Sequence, residues 1–196
     1  MSLAKYSTLC ILVAFSLLAS GPAFGWECTK LDSEVCACNC YADLNIPGQG
    51  TFNLTTSGEM EVEVTECEET PDGREIADMN VKRFDVDASS TPYGSMQIRL
   101  DASRTAPAST YVTQIPYQEF PATHDMYAHC TVTFSGLPGV VWRSIQPFHM
   151  QSTNVNSIFP SINEDYDLVS QVDFENISNP GVVVGTLTGA SITVDH

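Results

Sequence analysis

Apolar and polar residues alternate with a period of two along most of this chain. Met60, Val62 and Val64 alternate with Glu59, Glu61 and Glu63. Met96, Ile98 and Leu100 alternate with Ser95, Gln97, Arg99 and Asp101, and Cys130, Val132 and Phe134 alternate with His129, Thr131 and Thr133. Successive side chains of a strand point to opposite faces, so each stretch reads as a strand with one buried and one wet face. Further strands are predicted over residues 50–56, 76–84, 110–119, 140–150, 168–174, 182–187 and 190–194. That makes about ten short strands at the spacing of a sandwich or barrel.

Turn chemistry supports this reading. Pro71-Asp72-Gly73, Pro92-Tyr93-Gly94, Leu137-Pro138-Gly139 and Asn179-Pro180-Gly181 separate apolar runs. Proline pre-sets φ and glycine supplies a positive φ. Thr188-Gly189 predicts a tight hairpin near the C-terminus. Pro116 and Pro121 flank Glu119-Phe120 and predict an edge or bend, because proline donates nothing to a ladder. Helical signals are confined to one short turn within 31–41 and another within 103–108. The expected fold is all-β: an antiparallel β-sandwich or closed β-barrel, single in its core region 49–196, preceded by a Cys-rich segment 26–48.

The first 25 residues change the expected compartment. Lys5 precedes the apolar run 9–18, and Ala23-Phe24-Gly25 places small residues before a cut at Trp26. A run of that length is too short to span a bilayer and reads as an export signal. The remainder is expected to be secreted, extracellular or periplasmic, with no membrane span. Loss of Lys5 moves the formal charge from −16 to −17. Such a charge excludes nucleic acid as a partner, since phosphates would be repelled. It leaves cations, protein or carbohydrate partners, and pairing through strand edges.

Outside the cytosol, thiols tend to pair. Cys28, Cys36, Cys38, Cys40, Cys67 and Cys130 therefore predict three bridges. Neighbours two apart on a strand suit an S–S bond badly. Each of Cys36, Cys38 and Cys40 is thus expected to reach one of Cys28, Cys67 and Cys130, clamping the Cys-rich segment to the body. No C-x-x-C pair is present, which weakens a zinc reading.

Asn163, Asp165 and Asp167 set oxygen ligands at alternate positions, as a calcium loop would. Leu168 and Phe174 then stand where an EF-hand needs glycine and glutamate, so the stretch reads first as an acidic surface turn with no cofactor, and a looser calcium site is the alternative. His124, His129 and His149 lack zincin spacing. His149-Met150 with His129-Cys130 outlines copper ligands, a use that competes with bridging of the cysteine. The stripe Glu59-Glu61-Glu63 reads as a solvated outer face. Trp26, Trp142, Tyr111, Tyr117 and Tyr127 read as packing or, alternatively, a carbohydrate or small-molecule surface. Asn53 and Asn176 begin glycosylation sequons, relevant in a eukaryote. No G-x-S-x-G or glycine-rich phosphate loop occurs. The expected function is a secreted, disulfide-stabilised, acidic binding or structural domain. The alternative is an extracellular enzyme whose site is built from dispersed residues.

Overall fold

A computed structural model describes residues 34–118, 120–156 and 164–195. All of its regular structure is strand: twelve antiparallel strands hydrogen-bonded into one sheet. They are β1 (Glu34–Ile46), β2 (Gly50–Glu69), β3 (Glu75–Thr91), β4 (Gly94–Leu100), β5 (Ser109–Thr113) and β6 (Ala122–Ala128). β7 (Cys130–Phe134), β8 (Val141–Ser144), β9 (Phe148–Val155), β10 (Glu164–Leu168), β11 (Val172–Asn176) and β12 (Asn179–Asp195) follow. Among the described residues no helix is long and apolar enough to cross a membrane.

The sheet returns on itself, because β12 pairs with β1. It is not a regular barrel. One wall consists of the long strands β12, β1, β2 and β3. The facing wall is made in two tiers. β3 pairs with β4 along Asp85–Thr91 and with β5 along Ile76–Met79. β12 likewise takes β11 beside its first half and β10 beside its second. One tier therefore runs β4-β7-β8-β11 and the other β5-β6-β9-β10. The tiers part at residues 101–108, at His129, at 145–147 and at 169–171.

Period-two patterning builds this ring. Met60, Val62, Val64, Met96, Ile98, Val132 and Phe134 face inward and are buried. The glutamate stripe faces outward, where β3 supplies its counterions: Arg83 reaches Glu59 at 2.7 Å and Lys82 reaches Glu63 at 2.6 Å. The expected turn glycines Gly73, Gly94, Gly139 and Gly181 all have positive φ. At Gly58 the backbones of β2 and β3 come so close that a Cβ would lie 1.9 Å from the Asp85 carbonyl oxygen.

Several expectations need correction. Residues 34–41, within the predicted helical turn, belong to β1, because Cys36, Cys38, Cys40, Leu44 and Ile46 keep the inward period. Thr188-Gly189 is no hairpin. Leu187 and Ile192 both pair with β1, so the strand continues, and the extra residue bulges at Gly189 with φ 59°. The stretches 140–150 and 168–174 are each broken in two at the tier boundary.

The three-bridge clamp is also overturned. Cys36, Cys38, Cys40 and Cys130 carry no disulfide and are all buried. Cys67 is disulfide-bonded, and Cys28 lies outside the described residues. The four unbridged side chains fill inward positions as small apolar groups do. Glu34–Ile46, within the segment expected as a clamped appendage, is thus an integral strand of the ring, held by ladders to β2 and β12. The predicted leader, 1–25, lies outside the described residues.

Candidate functional site

Where the tiers part beside β3, a cleft of about 300 Å³ opens in the wall. The excursion 101–108 forms its outer lip, and the junction of β6 and β7 forms its floor. Both are tied down. The Asp101 N–H donates to the His129 carbonyl at 2.7 Å, and the Asp101 carboxylate accepts from the Ser103 N–H at 3.1 Å. Arg104 reaches across the next break, donating to the carbonyls of Ser144 and Ile145. One guanidinium therefore stitches the lip to the β8–β9 junction.

His129 lies on the cleft floor and is 6% exposed. Its Nδ1 lies 3.2 Å from Ser144 Oγ, which accepts from the Cys130 N–H at 3.1 Å. Burial, aided by the Arg104 charge and opposed by Asp101, lowers the His129 pKa. The ring is therefore neutral at pH 7, and a neutral imidazole both gives and takes hydrogen bonds. Tyr127 lines the cleft beside it and stacks on His149 with ring centroids 4.3 Å apart. Asp125 accepts from His149 at 2.6 Å and from Gln151 at 2.8 Å. Burial and the Asp125 charge raise the Tyr127 pKa, so its hydroxyl keeps its proton.

Behind the cleft the interior is apolar. A cavity of about 20 Å³ shares Val81 and Ala128 with the cleft. A second of the same size shares Phe84, Phe148, Met150 and Ile192 with the first. Cys40 and Thr56 border the second cavity. Cys38 hydrogen-bonds to Cys40 and is raised by that bond and by burial; the same bond lowers Cys40. Burial also pushes the Cys130 thiol up. Elsewhere in the interior, His124 Nδ1 and the Tyr166 hydroxyl oxygen lie 2.9 Å apart, both residues wholly buried. Burial lowers the His124 pKa to about 4 against a small opposing pull from Asp125.

The remaining sequence candidates fall elsewhere. Asp165 and Asp167 face outward on β10, where Asp165 accepts from the Thr193 hydroxyl at 2.6 Å; Asn163 lies outside the described residues. No group of three metal-capable side chains occurs among the described residues. The copper outline is not assembled: His149 is engaged with Asp125, while His129 turns to Ser144. Trp142 packs in the core against Phe134, and Tyr111 is buried, whereas Tyr117 is exposed. Trp26 lies outside the described residues. Asn53 donates to Asp43, and Asn176 caps the Ser178 N–H. Ser144, Arg104 and Tyr166 carry no sequence signal of their own; they matter through the strand breaks and the ring.

No family model matches this sequence, and no curated protein does. Among solved structures the chain is similar in fold to DynF. That protein comes from the dynemicin biosynthesis pathway of Micromonospora chersina. The TM-score is 0.70 with 14% identity, over 90% of this chain and 86% of DynF. At that identity the likeness establishes the fold alone. The expected function is corrected in its disulfide frame: Cys36, Cys38, Cys40 and Cys130, expected to bridge, are buried core residues without a disulfide, and the fold is one shared with DynF, a protein of a biosynthetic pathway.

Proposed function

We propose that the ring is an enzyme-like small-molecule site, with the lateral cleft as its mouth and the apolar interior as its chamber. The observation that carries this is the aligned parting of the strands. It opens a polar-lipped cleft of about 300 Å³ that shares Val81 and Ala128 with an apolar cavity of about 20 Å³. Concave sites that hold small molecules have this composition: mostly apolar walls with few, well-placed polar groups. His129 and Tyr127 are the groups at the mouth able to exchange a proton or a hydrogen bond with a bound molecule. The origin of DynF in a biosynthetic pathway is consistent with small-molecule chemistry on this fold.

The test uses 1-aminoanthracene, an uncharged apolar fluorophore. Its emission should rise and saturate at one molecule per chain. Thr105→Trp, at the exposed outer lip, should slow its uptake at least tenfold without lowering the melting midpoint. Unaltered emission with the full chain would overturn the reading.

A further inference from the structure

We propose that Ser144 holds the His129 ring with its proton on Nε2, so that the cleft presents a fixed hydrogen-bond donor and takes an uncharged molecule by its carbonyl oxygen. This rests on the small-molecule reading above and names the chemistry that the mouth selects.

The position of the ring proton follows from the bonds open to one buried hydroxyl. Ser144 is wholly buried at the end of β8. A serine hydroxyl has one proton to give and two lone pairs to offer. One lone pair takes the Cys130 N–H at 3.1 Å. Among the described residues the other partner of this hydroxyl is His129 Nδ1, at 3.2 Å. With the ring proton on Nδ1, the ring would donate to the hydroxyl, and the hydroxyl's own proton would have no acceptor. A buried donor left unmet disfavours that arrangement by about fivefold or more. With the ring proton on Nε2, the hydroxyl donates to Nδ1 and nothing is left over. Arg104 steadies the serine by donating to its carbonyl.

Nε2 is the nitrogen left for a guest. It meets no other group among the described residues, yet it is not shut off from solvent, so it opens on the cleft. Tyr127, in the same lining, keeps its hydroxyl proton. The mouth therefore has protons to give. A carbonyl oxygen has two lone pairs and no proton of its own to place, and so it matches.

An anion matches less well. Asp101 brings a negative charge to the lining. The two cations of the lining are engaged: Lys82 with Glu63 at 2.6 Å, and Arg104 with the carbonyls of Ser144 and Ile145. A carboxylate would shed its hydration there and meet a like charge.

Two measurements on the full chain test this. Long-range proton–nitrogen NMR of histidine-labelled protein at neutral pH should show a bare Nδ1 and a protonated Nε2 for His129. Ser144→Ala should move both nitrogens toward the positions of a ring that exchanges its tautomers. A proton on Nδ1 in the unaltered protein, or unmoved nitrogens in the variant, would overturn the assignment. The second measurement is competition against bound 1-aminoanthracene. The ratio of affinities for 2-acetylnaphthalene and its oxygen-free isostere 2-isopropenylnaphthalene should fall about fivefold in His129→Phe, the worth of one hydrogen bond. In the unaltered protein the ketone should bind tighter than 2-naphthoate and tighter than 1-(2-naphthyl)ethanol. An unchanged ratio, or either competitor matching the ketone, would overturn the carbonyl assignment and leave the small-molecule reading standing. Failure of the fluorophore to bind overturns that reading and the carbonyl assignment with it.

Discussion

His124 should make the ring acid-labile in a defined window. Its imidazole is wholly buried, and burial holds its pKa at about 4 in place of the ordinary 6.5. Above pH 6.5 the side chain is neutral whether the chain is folded or not, and its contribution to stability is complete. Between pH 6.5 and about 4 the unfolded chain binds a proton that the folded chain refuses. Stability therefore falls as pH falls, and this contribution is exhausted below about pH 4. The gap between the two values corresponds to about 3 kcal/mol, most of it gone by pH 4.5. Such a loss is a large share of a typical domain's stability. Urea melts at pH 7.5 and pH 4.5 measure it, compared with the same pair for His124→Phe. The variant loses the bond to Tyr166 and starts lower, so the quantity of interest is each protein's own change with pH. His129, also shifted down by burial, contributes with the same sign in both proteins and cancels in the comparison. The variant should lose about 2–3 kcal/mol less than the parent on acidification. An equal loss would refute the assignment of a neutral, buried His124.

Other outcomes follow from packing and from the thiols. Ser144→Ala strips the Cys130 N–H and His129 Nδ1 of their common partner in a buried setting. It should cost about 2–3 kcal/mol, read by calorimetry as a lowered midpoint; a change under about 2 °C would refute it. Gly58→Ala drives a Cβ into the Asp85 carbonyl and should cost more than about 3 kcal/mol or prevent folding; a normal melt would contradict that. Iodoacetamide should leave Cys36, Cys38, Cys40 and Cys130 unmodified in the native protein and alkylate all four after denaturation without reductant. Protection of any of them in the denatured, unreduced chain would show a bridge.

The strand content was legible because alternation is local. Met96-Gln97-Ile98 or Cys130-Thr131-Val132 needs only its own residues to declare a face. What was not legible depends on partners far along the chain. Thr188-Gly189 carries the local chemistry of a hairpin, yet β1 lies alongside both flanks and makes it a bulge. The three alternate cysteines look the same in sequence whether they wait for a disulfide or fill a core. Their role is decided by the ring that surrounds them. The site was legible only in part. His129 and Tyr127 were visible as residue types, but the cleft exists because strand breaks far apart in sequence fall at one height. The turn-like excursion 101–108 marked one break, and no single motif marks their alignment.

Arg104 gives that alignment a practical meaning. The excursion it anchors leaves the sheet between β4 and β5 and rejoins it without altering the register of either against β3. Changes in the length or chemistry of 105–108 would therefore leave the twelve-strand ladder as it is. The rim could be rewritten for a different guest while the frame keeps its shape, provided the guanidinium clasp is kept.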